Sequence, residues 1–131
     1  MIELRTFLRV DLGLSEAVQW IDGSFVEDVE HSEGRAPRDV DVLTIAAFPP
    51  ISSLTAVQRA LLDPREAKRR FRCDAYPLSL SAVRTTGVLI ERVTYWHGLF
   101  SHRRDGVWKG IVALGLDGDD DARALARLES A

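Results

Sequence analysis

Two carboxylates separated by one residue, Asp39 and Asp41, stand at the head of the most apolar run of the chain, residues 40–48. In an extended segment, residues i and i+2 point to the same side, so the pair concentrates negative charge on one face of a strand. That arrangement is costly unless a cation neutralises it. Mg²⁺ is the natural partner, because it takes hard oxygen ligands and sits between one or two carboxylates and a substrate phosphate. A structural alternative is that the aspartates cap the strand and pair with Arg35 or Arg38. Upstream, Trp20-Ile21 reads as the end of a buried strand, and Gly23-Ser24 follows as a tight turn with exposed backbone amides.

The elements that must position these residues follow from periodicity. Leu4, Phe7, Leu8 and Leu12 recur at helical spacing over residues 2–12, with Arg5 and Arg9 on the polar side and Gly13 as a stop. Residues 17–22 read as a strand, 26–30 as a short helical or irregular piece, and 31–38 as a Ser/Gly/Pro-bearing loop. The run 40–48 has the composition of a strand buried on both faces and ends at Pro49-Pro50. Ser52 and Ser53 are candidate caps for a helix over 54–62. Asp63-Pro64 opens a basic helix over 64–71. Residues 72–80 form a strand with Asp74, Tyr76 and Leu78 on one face, and Pro77 points to an edge strand or an early ending. From Ser81 to about residue 100, Ala82, Thr86, Leu89, Val93, Trp96 and Phe100 make a helical stripe that Ile90 widens, with Gly87 marking close packing. A turn at 104–106, a strand over 107–116 and a helix over 119–130, held by Leu125 and Leu128, complete the chain. The order α-β-α-β-α-α-β-α-β-α predicts an α/β (α+β) fold, a small mixed sheet of about four strands flanked by helices.

Composition sets the outer limits. A length of 131 residues predicts a single domain over 1–131. Of these, 46% are hydrophobic and 28% charged, the balance of a soluble globular domain. Net charge is −3, which argues against a dedicated nucleic-acid binder while leaving room for a local basic patch. Such a patch is Arg65, Lys68, Arg69, Arg70 and Arg72, read first as a solvated helix face. The one cysteine, Cys73, excludes an internal disulfide and reads as a small buried residue in a reducing, cytoplasmic setting. No run reaches the ~20 apolar residues that span a bilayer. His31, His97 and His102 have no zinc-like spacing. Asp117-Gly118-Asp119-Asp120-Asp121 departs from the calcium-loop pattern and reads as an acidic helix start.

Gly-Ser on a turn after a strand, then Asp-x-Asp on the next strand, resembles the nucleotidyltransferase superfamily in its minimal form. More narrowly, Trp20-Ile21-Asp22-Gly23-Ser24-Phe25-Val26, Asp39-Val40-Asp41-Val42 and Trp108-Lys109-Gly110-Ile111 resemble a group of small bacterial proteins of that fold. The resemblance implies that Gly23 and Ser24 hold a nucleotide triphosphate, that Asp39 and Asp41 hold one or two Mg²⁺ ions, and that Asp74 completes the set and can activate the attacking hydroxyl. Lys109 is a further phosphate contact on the same ground. The implied reaction transfers a nucleoside monophosphate from an NTP to a hydroxyl of a protein, an RNA or a small molecule. Superfamily analogy adds a companion protein, as in a toxin–antitoxin or phage-defence pair. Two other readings stay open: a non-catalytic partner-binding module of the same fold, and a metal-dependent nuclease. The family usually carries a basic helix before the first strand, so an N-terminal segment is expected to be truncated here.

Overall fold

The computed structural model describes residues 1–38 and 40–131. It contains a four-stranded mixed sheet of β1 (Ala17–Asp22), β2 (Asp41–Ala46), β3 (Asp74–Ser79) and β4 (Val112–Gly115), in the order β3-β2-β1-β4. β1 runs antiparallel to both β2 and β4, and β3 runs parallel to β2. Among the described residues the α-helices are α1 (Ile2–Thr6), α2 (Val29–Ser32), α3 (Ala56–Leu61), α4 (Pro64–Phe71), α5 (Thr86–Phe100) and α6 (Asp119–Glu129). The α+β class and the four-stranded mixed sheet expected from the sequence are therefore present. No described helix is long and apolar enough to cross a membrane.

Each sheet face has its own core. Leu4, Phe7, Leu8 and Leu12 from the N-terminal helical segment pack with Ala17, Ile21, Val42 and Ala46 on one face, joined by Ala67 and Phe71 from α4. On the other face, Leu43, Leu78 and Phe100 meet Trp20, Tyr76 and Trp96 beneath α5. The period-2 pattern of the strands explains the division, since alternate residues of β1 and β2 enter opposite layers. α1 passes into a π-helical turn, Phe7–Asp11, and Gly13 at φ 68° ends it in the left-handed region that favours glycine. The parallel step from β2 to β3 requires a crossover, which α3 and α4 supply.

Several element ends differ from expectation, each for a local reason. α3 is capped by Thr55, which accepts from the Gln58 amide in a capping box, while Ser53 Oγ donates to the Pro50 carbonyl. β3 begins at Asp74 rather than 72 because Arg72 closes α4 in a left-handed conformation, φ 59°. As expected, β3 is an edge strand and puts Asp74, Tyr76 and Leu78 on the same face. Ser81 does not start α5: its hydroxyl donates to the Phe48 carbonyl, and Thr85 caps the helix instead. A Cβ on Gly87 would meet only Thr85 Oγ1 at 3.9 Å, so this glycine marks no close packing. Ile90 is exposed and does not widen the buried stripe. β4 is shorter than 107–116 because residues 107–109 pair elsewhere: the Arg103 amide donates to Val107 O, and the Lys109 amide donates to Ser101 O.

The largest departure concerns α6. Leu125 and Leu128 are exposed, and the residue α6 buries is Asp121. Its carboxylate accepts from Nε of Arg5, itself buried in α1. Arg5 also donates to Gln19 Oε1 at 2.8 Å and to the carbonyls of Gly115 and Asp117 at 3.0 and 3.1 Å. Gln19 in turn donates to Thr44 Oγ1 at 3.0 Å. A polar chain thus runs through the α1-side core and ties α6 to the sheet, where the sequence suggested a leucine contact and an acidic cap. Asp117 does fill the capping role, accepting from the amides of Asp119 and Asp120.

Candidate functional site

Strand register builds the site. Asp22 pairs with Asp41 across β1 and β2, and Asp41 pairs with Asp74 across β2 and β3. Paired residues share a face, so the three carboxylates form one row across one end of the sheet, roughly 5 Å from strand to strand. The next row on that face is Trp20, Leu43 and Tyr76. The carboxylates therefore rim the apolar floor under α5. Tyr76 registers them: burial, then the charges of Asp41 and Asp74, push its phenol above the ordinary tyrosine value.

The members of the row differ in surroundings. Asp22 is buried, and burial raises its carboxyl above the usual range even though contact with Lys109 and the Gly23 amide pull it down. Lys109 Nζ lies 2.9 Å from Asp22 Oδ1 and donates to Glu27 Oε1 at 3.0 Å. Burial works against that ammonium, but its contacts with the two carboxylates prevail and hold it above the ordinary lysine value. Asp74, at the other end, forms a 2.7 Å ion pair with Lys68 of α4. Asp41 stands between them, half-buried.

Gly23 follows Asp22 at φ 89°, ψ −172°, a conformation essentially reserved for glycine. It turns the chain sharply into a 3-10 segment, Ser24–Val26, and Ser24 Oγ accepts from the Arg38 amide at 2.9 Å. Gly23→Ala is expected to cost about 1–3 kcal/mol, read as a lower urea midpoint at unchanged slope.

A polar cleft of about 470 Å³ joins these parts. Gly23, Ser24, Asp41 and Lys109 line it, together with Arg35, Arg38, Arg103 and Arg104. Arg35 is paired with Glu33, and Arg103 lies 3.6 Å from Glu27. Guanidiniums and carboxylates thus share the lining, Glu27, Glu33 and Asp105 among the latter. That is the electrostatic pattern suited to a polyphosphate with its counter-cation.

Of the residues expected to form a site, Gly23, Ser24, Asp41 and Lys109 come together at this cleft, and Asp74 adjoins Asp41 through the strand pairing. Asp39 lies outside the described residues. Among those described, no group of three or more His, Cys, Asp and Glu side chains is arranged to hold a metal ion. Asp41 and Asp74 still offer two hard oxygen donors on adjacent strands. That fits Mg²⁺, which takes one or two protein carboxylates and completes its shell with water and substrate phosphate. Lys109 differs from the free phosphate contact that the motif suggested, being engaged by Asp22 and Glu27.

Sequence reasoning gave no place in a binding site to Asp22, Glu27, Arg38, Arg103 or Arg104, and weighed Arg38 only as a structural partner of the aspartates. Asp22 carried a signal, because it lies two residues after Trp20 and so shares its face. The arginines carried none, since they reach the cleft through the turn around Gly106 (φ 84°) and the loop before β2. No curated protein and no solved structure matches the chain. Residues 5–115 match a family of unknown function, DUF6932, and the chain belongs to that family.

Proposed function

We propose that the protein is a Mg²⁺-dependent nucleotidyltransferase-like enzyme of the cytoplasm, which moves a nucleoside monophosphate from an NTP to a hydroxyl acceptor. The observation that carries this reading is the row Asp22–Asp41–Asp74 beside a Gly-Ser turn, with its middle member, Asp41, opening on a cleft that arginines also line. Asp41 and Asp74, with Asp39, are the residues that hold Mg²⁺, and the ion supplies charge neutralisation to the reacting phosphates. Gly23 lets backbone approach the triphosphate, and Ser24, Arg38, Arg103 and Arg104 bind its oxygens. Asp74, at the outer end of the row, accepts the proton of the attacking hydroxyl. The acceptor oxygen bonds to the α-phosphorus as the bond to the β-phosphate bridge breaks, and pyrophosphate leaves.

A second reading, a partner-binding module of the same fold, is favoured by one observation. Tyr95 and Leu99, one turn apart on α5, and Trp108 are all largely exposed, an apolar display that suits a companion protein.

Titration calorimetry of the four nucleoside triphosphates, with and without Mg²⁺, separates the two. Asp41→Asn, alone and with Asp39→Asn, is expected to weaken metal-dependent binding by more than the roughly 10–100-fold that losing a ligand's supporting partner costs. The fold should persist, because Asp41 is only half-buried. A double variant that bound Mg²⁺-nucleotide like its parent would rule the site out. A folded parent that bound none of the four would shift the reading to the partner-binding module.

A further inference from the structure

Beside the carboxylate row runs a second, wider groove of about 680 Å³, lined by Arg38, Arg65, Lys68, Arg69 and Arg72. We infer that this groove binds the phosphodiester backbone of a single nucleic-acid strand, which on the reaction proposed above is the acceptor. All five described lining residues are cations. Lys68 is paired with Asp74 and Arg69 with Glu66, whereas Arg38, Arg65 and Arg72 have no carboxylate partner among the described residues. The concentration is local, since the whole chain carries a net charge of −3. A cationic groove on an acidic protein attracts a polyanion to one place rather than everywhere.

Two of the unmatched arginines sit against local preference. Arg65 occupies the first turn of α4, where the helix dipole disfavours a cation. Arg72 holds φ 59°, a conformation that suits glycine better than an arginine. Departures from local preference concentrate at functional positions. The groove is also continuous with the candidate site: Arg38 lines both it and the polar cleft, and Lys68 reaches from the groove to Asp74. A strand lying along α4 would deliver its terminal hydroxyl to the end of the row where Asp74 stands. Among the described residues no aromatic side chain lines the groove, so recognition is by phosphate and carries no base preference.

The test uses the full chain without nucleotide or Mg²⁺, so its result stands whichever way the calorimetry falls. Labelled RNA and DNA strands of about twelve nucleotides, within the roughly 4–16 covered by a small binding module, are titrated by fluorescence anisotropy. With three unmatched guanidiniums, log K should fall against log salt with a slope of about −2, or about 15-fold from 50 to 200 mM. In Arg65→Glu with Arg72→Glu, affinity should fall at least about tenfold and the slope flatten to −1 or shallower. Both positions are exposed, and glutamate at 65 suits the start of a helix, so the double variant is expected to fold; an unchanged circular dichroism spectrum checks this. Should it not fold, Arg65→Gln with Arg72→Gln replaces it. Equal binding of RNA and DNA supports the backbone reading, and binding of RNA alone supports it with an added 2′-hydroxyl contact. Absence of binding at 50 mM salt, a slope unchanged in the variant, or displacement of the strand by equimolar inorganic phosphate would overturn it.

Discussion

Replacing Arg5 by methionine is expected to cost about 3–5 kcal/mol, the range found when one partner of a buried ion pair is removed. Arg5 is 2% exposed and donates to four groups: the Asp121 carboxylate, the Gln19 side chain and two carbonyls. Methionine fills the volume but leaves Asp121 and Gln19, at 5% and 0% exposure, without their donor. A domain of ordinary stability has only about 5–15 kcal/mol in total, so a fifth or more of it is at stake. Urea unfolding reads the effect as a large drop in midpoint. Adding Asp121→Leu should recover most of the loss, because replacing both partners removes the stranded charge. Failure of the second change to recover stability would mean that Gln19 and the backbone carbonyls of Gly115 and Asp117, and not the ion pair, are what Arg5 serves.

That core network also shows where the sequence stopped being informative. β1 and α4 have the ends that periodicity and punctuation suggested, 17–22 and 64–71, because their signals are local: alternation in one, Asp63-Pro64 and a helical apolar face in the other. Arg5 and Asp121 are 116 positions apart. Neither carries a local signal that it will be buried, and on a helical wheel each looks like solvent-facing charge. Leu125 and Leu128 mislead for the matching reason, since spacing shows that a stripe exists but not whether anything covers it. The same holds for α5, where Phe100 is buried but Ile90, read as widening the stripe, is exposed.

For the candidate site, the sequence yields the parts and the structure yields their register. Asp41, Gly23 and Ser24 could be singled out by residue type and spacing. That Asp22 stands beside Asp41 follows only from the antiparallel pairing of β1 and β2, whose register no residue between them announces. Asp74 could be placed on a neighbouring strand but not at a paired position, because the crossover through α3 and α4 leaves the register free. The arginines of the cleft come from loops, and loop paths are set by tertiary contacts such as the bridge between His102 and Trp108.

Lys109 is where parts and register give different roles to one residue, and Lys109→Met separates them. With its side chain only 11% exposed, the ammonium sits between Asp22 and Glu27 and neutralises both. Methionine keeps the packing and removes the charge, so buried Asp22 is left beside half-buried Glu27 without the ammonium between them, and the expected loss at neutral pH is again about 3–5 kcal/mol. The pH dependence gives the cause. Burial already raises the Asp22 carboxyl, so its contribution to stability is greatest below the unfolded value of 3.8 and is lost as pH rises through the folded value. Without Lys109 the folded value rises further, and the variant's deficit should shrink as pH is lowered from 7 into the acid range. In the parent the lysine is held above 10.5, so the stability it contributes is present at neutral pH and is lost only as pH rises through that higher value. The deficit should therefore narrow at both ends of the range, read as urea midpoints of parent and variant across pH. A loss of nucleotide affinity with no change in stability would give Lys109 to the phosphate instead. A deep, pH-dependent loss of stability makes it the counter-charge that lets Asp22 stand beside Asp41, holding the inner end of the carboxylate row in place.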